Sequence, residues 1–251
     1  MEIRGLAFLP CFWVTWTLVG LFVAYAVTVA EGHAPTYLLY ISETGSYFPE
    51  SAVFTAVFML SSILGAATVC VEYKFLDIRS AAIGIHCAMS QRVLLVVGLS
   101  SCIGTFTVAA FQVEAFPVIH RTGAVMSLGL GSLYNLCQSK SLYRMSLSDP
   151  YVCHIRMTLS LMMAASLITF LLFKIPLIYQ LCNGRCEEIC HTSAVTSEWL
   201  SVLTFMLHYL TYYTDFQHLC ILWRCDKSDC GLKIYIFKQE KKNMLQCSVN
   251  L

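Results

Sequence analysis

The residues that could do chemistry in this chain are few, and most sit at the margins of long apolar runs. The stretch YISETGSYFPES, Tyr40 to Ser51, carries Glu43 and Glu50 and no cation. CNGRCEEIC places Cys182, Cys186 and Cys190 four residues apart, on roughly one face if helical. One disulfide with a spare thiol and three free thiols fit that spacing equally, and it matches no common zinc pattern. Cys220, Cys225 and Cys230 follow the last apolar run. Cys220 and Cys225 are candidates for palmitoylation beside a membrane, although a cysteine also serves as a small apolar residue. Inside or beside apolar runs stand Asn135, Gln138, Glu198 and His208. Ionisable groups in such places are functional suspects. Glu198 is next to Trp199, as at a membrane interface, and His208 can be neutral and satisfied by a neighbour's hydroxyl or carbonyl.

These groups do not assemble a catalytic pattern. The sequence contains no nucleophile elbow, no His-Glu-x-x-His, no Walker loop and no dinucleotide fingerprint. His33, His86, His120, His154 and His191 are scattered among different connections. The expectation is a protein that is not an enzyme and needs no cofactor or metal. No nucleic-acid partner is expected; membrane lipids and membrane proteins are.

The elements that position these residues follow from composition. The chain has 251 residues, of which 57% are hydrophobic and 12% charged. Soluble domains carry about 25% charged residues, so this chain has half the usual means of covering a surface in water. About 20 mainly apolar residues cross a bilayer as a helix. The runs predict six spans, near 6–30, 51–71, 93–113, 119–139, 156–178 and 195–214, followed by a Cys- and Lys-containing tail over 219–251. The first run is too long for the core of a signal peptide. None of the runs alternates as a barrel strand would. The fold class is therefore all-α, a six-helix polytopic membrane bundle spanning 1–218.

Basic residues set the orientation. With both termini cytoplasmic, every Lys and Arg except Arg121, Lys174 and Arg185 lies on the cytoplasmic side, Arg156 included. The Tyr40–Ser51 stretch then belongs to a non-cytoplasmic loop. It is expected to form a lid over the bundle, anchored by Tyr40 and Pro49 and presenting Glu43 and Glu50; a solvated connector is the plainer alternative. The many small residues, among them Gly65, Gly98, Gly104 and Gly123, point to close helix packing rather than to a transport path. No internal repeat or paired unwound segment marks a secondary transporter.

The same loop carries a resemblance. YISETGSYFPES resembles the first-loop signature of the damage-regulated autophagy modulator (DRAM) family. GLAFLPCFWVTW, LGAAT with the later Tyr73–Lys74, VAAFQ, CHIRM, and Glu198–Trp199 with YLTYYTDFQ are similar to later family segments, in order, over about Gly5 to His218. Leu39, Phe48 and Ala110 depart from the pattern, and the tail after His218 has no counterpart in it. The resemblance implies a six-span, non-enzymatic protein of lysosomal or endosomal membranes that promotes autophagy and, under stress, cell death. Relatives in the wider group imply two alternatives: a plasma-membrane adaptor for phosphoinositide kinase recruitment or lipid distribution, and a subunit of a channel or transporter. It also singles out Tyr40, Ile41, Ser42, Glu43, Thr44, Gly45, Pro49 and Glu50, then Phe111, Gln112, Glu198, Trp199, Asp215, Phe216 and Gln217. Their expected role is docking of loops and helix ends, with partner binding second.

Overall fold

The structure is a computed structural model that describes residues 2–33, 39–82, 84, 88–145, 149–174, 185–226 and 229–236. In chain order it contains β1 (Glu2–Arg4), α1 (Phe8–Ala30), a 3-10 turn (Ile41–Gly45), α2 (Glu50–Ala82), α3 (Ala88–Ala110), α4 (Pro117–Ala124), a π-helical turn (Val125–Leu130) and α5 (Gly131–Met145). Then come α6 (Pro150–Phe173), α7 (Arg185–Leu210), the short α8 (Tyr213–Phe216), β2 (Leu219–Asp226) and β3 (Asp229–Ile236). With α4, the π turn and α5 joined into one rod, the described residues form six long helices. The protein is an all-α, multi-pass membrane bundle.

Four of the rods are long and apolar enough to cross a membrane: Phe8–Ala30, Glu50–Ala81, Met89–Ala110 and Pro150–Phe173. The α4–α5 rod and α7 are more polar for a specific reason. Asn135, Gln138 and Ser139 on α5, and Ser197, Glu198, Ser201, Thr204 and His208 on α7, are all buried inside the protein. Hydropathy falls there because the polar residues face neighbouring helices rather than lipid.

Local sequence explains the boundaries. Pro10 lies in the first turn of α1, where a missing N–H is tolerated. Asp149 caps α6 by accepting from the Tyr151 N–H at 2.9 Å, and Pro150 occupies the first helical position. At 33 residues α2 is about 50 Å long, so it outreaches the roughly 30 Å hydrocarbon layer. Its apolar run ends near Val71, but the helix does not.

Packing runs through interhelical hydroxyl pairs and one aromatic spine. Thr17 meets Ser61 at 2.7 Å between α1 and α2, and Ser201 meets Ser166 at 3.0 Å between α7 and α6. Trp13 of α1 packs at a tilt against Tyr209 of α7 with centroids 4.5 Å apart. Between α3 and α4 the backbones nearly touch: a Cβ on Gly104 would stand 2.7 Å from the Gly123 carbonyl oxygen. Ser101 donates to the Ser127 carbonyl at 2.7 Å within the π turn, so the small residues do pack helices, as the sequence suggests. Finally, β1, β2 and β3 pair antiparallel in that order. The Gly5 N–H reaches the Leu219 carbonyl and the Leu6 N–H the Phe216 carbonyl, each at 2.9 Å. This small sheet, not anticipated in the tail, brings the start of the chain and residues after 218 to one end of the bundle.

Candidate functional site

The opposite end is closed by the first loop. Tyr40 to Gly45 is polar in sequence, yet Tyr40, Ile41, Thr44 and Gly45 are buried. The turn closes on itself first. Glu43 reaches back to accept from the Tyr40 N–H at 3.1 Å, and the Thr44 hydroxyl donates to the Ile41 carbonyl at 2.7 Å. These local bonds make a Ser-Glu-Thr-Gly run fold as a compact turn. Gly45 is then required by space: a Cβ there would lie 2.6 Å from the ring of Phe54.

The folded turn docks on α7 through two long-range hydrogen bonds. Glu198 accepts from the Ile41 N–H at 2.9 Å, and the Trp199 indole donates to the Leu39 carbonyl at 2.9 Å. Glu198 is 8% exposed, so it is an interior anchor rather than the interfacial charge its Trp neighbour suggests. The Tyr40 ring packs among α6 and α7, edge-on to Phe170 at 6.4 Å and to His191 at 5.1 Å. The Lys174 ammonium sits 3.5 Å from the centre of the same ring.

The loop is therefore a lid, but one corrected in detail. Tyr40 anchors it as expected. Glu43 and Glu50 are not presented to a partner: Glu43 is folded onto the Tyr40 amide, and Glu50 is fully buried with His33 Nδ1 at 2.7 Å. Burial of an acid is cheaper when a partner is in hydrogen-bond reach. What the lid exposes is Tyr47 and Phe48, the latter 80% exposed and joined to half-buried Pro49 by a cis peptide bond. Ser42 is half-buried beside Glu198. Next to the lid, Phe22, Tyr25, Leu39, Val195 and Trp199 line an apolar groove of about 270 Å³ between α1 and α7.

The remaining candidates fall in two other places. Phe111 and Gln112 form the tight α3–α4 connection, where His120 Nδ1 lies 2.6 Å from the Phe111 carbonyl and the Phe116 N–H bonds the Gln112 carbonyl at 2.9 Å. Asp215, Phe216 and Gln217 are at the end carrying the sheet. Asp215 pairs with Arg156 at 2.6 Å, Phe216 is fully buried, and Gln217 is near His218 on the surface.

Sequence reasoning missed Arg156 as an interior residue. Counted as a cytoplasmic flanking charge, it is 0% exposed and donates to the Thr211 hydroxyl and carbonyl, each at 2.8 Å, besides Asp215. Its guanidinium also stacks on the Tyr212 ring at 4.1 Å. Glu72 was missed too: it is fully buried and accepts from the Tyr134 hydroxyl. The available signal was its register, one turn after Thr68 and one before Leu76, on the buried face of α2. His208 meets the expectation in part: its Nδ1 lies 3.2 Å from the Ser160 hydroxyl, while its buried Nε2 has no hydrogen-bond partner among the described residues.

Of the cysteines, Cys182 lies outside the described residues, Cys186 is at the start of α7, and Cys190 is buried on that helix. Cys220 and Cys225 are on β2. Among the described residues no three His, Cys, Asp or Glu side chains are grouped to hold a metal ion.

A polytopic helical bundle whose first extramembrane loop is folded, buried and bonded to a later span defines a class of membrane protein organised around a docked loop. Residues 5–219 match the Frag1/DRAM/Sfk1/Cwh43P N-terminal domain family, and the chain belongs to it. It is 34% identical to the human DNA damage-regulated autophagy modulator protein 1, over 87% of this chain and 94% of that protein. It is 31% identical to DNA damage-regulated autophagy modulator protein 2 of Bos taurus, over 92% and 91%. The modulator of macroautophagy TMEM150B of Xenopus tropicalis is 27% identical over 85% and 87%. No solved structure matches the chain.

Proposed function

We propose that this protein is a non-enzymatic modulator of autophagy in the lysosomal membrane, with both termini cytoplasmic and the docked first loop facing the lumen. One observation carries the reading: relatives named as autophagy modulators match this chain over 87% and 92% of its length. The lid is the working surface. Its buried half, from Tyr40 to Gly45, sets its shape on the bundle, and its exposed half, Tyr47 and Phe48, meets a membrane protein of the autophagy or lysosomal machinery, or the lipid headgroups around it. Promotion of cell death under stress belongs to the same reading. Because no step of bond making is asked of the protein, its action is through the shape and stability of this surface.

The test is autophagic flux, together with the location of a tagged copy, in cells lacking the endogenous protein. Wild type restoring flux from lysosomes, with Glu198→Ala reaching lysosomes but restoring less, supports the reading. Plasma-membrane staining with unchanged flux overturns it in favour of an adaptor at the cell surface.

A further inference from the structure

Where the lid meets α1 and α7, the bundle leaves a gap that no described residue fills. It is the apolar groove of about 270 Å³ lined by Phe22, Tyr25, Leu39, Val195 and Trp199. Its wall on α1 belongs to Phe8–Ala30, one of the four helices long and apolar enough to cross a membrane. The Trp199 ring lies against both aromatic neighbours, tilted to Phe22 with centroids 5.9 Å apart and edge-on to Tyr25 at 6.0 Å. Leu39 and Val195 are buried, whereas Phe22 is 56% exposed. Three rings thus make a stiff wall over a buried aliphatic floor.

The lining dictates the chemistry of an occupant. Only Tyr25 and Trp199 among these side chains carry a polar atom, and the Trp199 N–H is committed to the Leu39 carbonyl at 2.9 Å. A peptide strand lying there would bury N–H and C=O groups without partners, which backbone facing lipid does not tolerate. Apolar cavities stay dry and take up apolar molecules instead. Size narrows the choice. Sites for whole small molecules start near 300 Å³ and enclose most of the ligand. A somewhat smaller groove on a membrane span takes one part of a long molecule whose remainder stays in the bilayer. Affinity there comes from packing, because lipid tails are as apolar as leucine. A chain laid against the rings restores the dispersion contacts that an unfilled groove forfeits.

We propose that this groove holds one acyl chain of a membrane phospholipid, seated against the hydrogen bond that docks the lid. Leu39 and Trp199 are at once walls of the groove and the two partners of that bond. The held chain therefore packs on the attachment of the lid rather than on the outer surface of the bundle at large. The site rests on the docked loop and not on the autophagy reading, and its test uses no cellular readout.

The experiment uses the purified full-length protein in phosphatidylcholine nanodiscs doped with a phosphatidylcholine that carries a photoreactive diazirine on its acyl chain. Mass spectrometry then locates the labelled residues. Val19 and Val23 are the internal reference, being 57% and 46% exposed on α1 near the level of Phe22 and outside the groove. Free boundary lipid labels residues by exposure, so the two valines would exceed half-buried Tyr25 and Trp199. A chain held in the groove reverses that order. Phe22→Ala removes the exposed ring of the wall without touching the buried core, and the excess labelling of Tyr25 and Trp199 is then lost. Labelling of these two below the valines in wild type, whether from free boundary lipid or from a second copy covering the groove, overturns the proposal. An excess that Phe22→Ala leaves unchanged also overturns it. So does an excess obtained with a diazirine-bearing sterol in parallel discs but not with the phospholipid.

Discussion

Removing the Glu198 carboxylate opens the lid without unfolding the bundle. In Glu198→Ala the Ile41 N–H loses its acceptor at 2.9 Å, while the Trp199–Leu39 bond at 2.9 Å and the Tyr40 ring contacts remain. Ile41 is 5% exposed, so its amide cannot turn to water while the lid stays down. Leaving a buried donor unsatisfied costs about 1–3 kcal/mol. At about 1.4 kcal/mol per tenfold, the open fraction of the lid rises about 5- to 150-fold. Hydrogen exchange reads this directly, because local opening free energies set amide protection. In nanodiscs, the amides of Ile41 to Gly45 exchange faster by that factor in Glu198→Ala, while those in the middle of α2 do not change. Glu198→Gln keeps a carbonyl oxygen in place and shows a smaller effect. Unchanged exchange across Ile41–Gly45 in the alanine variant would refute the docking argument. A uniform acceleration through α2 would show that the lid is not a separate cooperative unit.

Other outcomes follow from the same geometry. Gly45→Ala drives a methyl to 2.6 Å from the Phe54 ring and lowers stability by about 1–3 kcal/mol, seen as a lower unfolding temperature. Trp199→Phe keeps the contacts with Phe22 and Tyr25 but loses the indole bond to Leu39, so the lid amides alone exchange faster, by about tenfold for about 1.5 kcal/mol. Arg156→Met leaves the partly exposed Asp215 without its guanidinium 2.6 Å away and removes the buried bonds to Thr211, a loss of up to about 3 kcal/mol. Size-exclusion of the detergent-extracted protein shows most of that variant aggregated, and the double change Arg156→Met with Asp215→Asn recovers part of the monodisperse fraction.

How much of this was legible in the sequence varies by element. The first, second, third and fifth spans announce themselves, because each must offer lipid an apolar face and carries a long apolar window with few charged residues. The lid was legible as a motif through its turn-forming residues, but the direction of its acids was not. Glu43 and Glu50 read as solvent-facing charges until the fold supplies the Tyr40 amide and His33 beside them. The span ends were blurred for a related reason: α2 continues from Val71 to Ala82 through Glu72, Lys74, Asp77 and Arg79, because helix propensity continues where hydropathy stops.

By itself the sequence determined the solvent. With so little charge to cover a surface, the chain must place its apolar residues against lipid, and backbone hydrogen bonding in lipid then dictates helices. Only the tertiary structure decided which polar residues lie inside. Charge counts and hydropathy sum residues along the chain, whereas burial depends on which face of a helix meets another helix. That is why Arg156, a flanking cation in sequence, is an interior partner of Asp215 in space, and why Glu198, remote from Ile41 along the chain, is the residue that holds the loop closed.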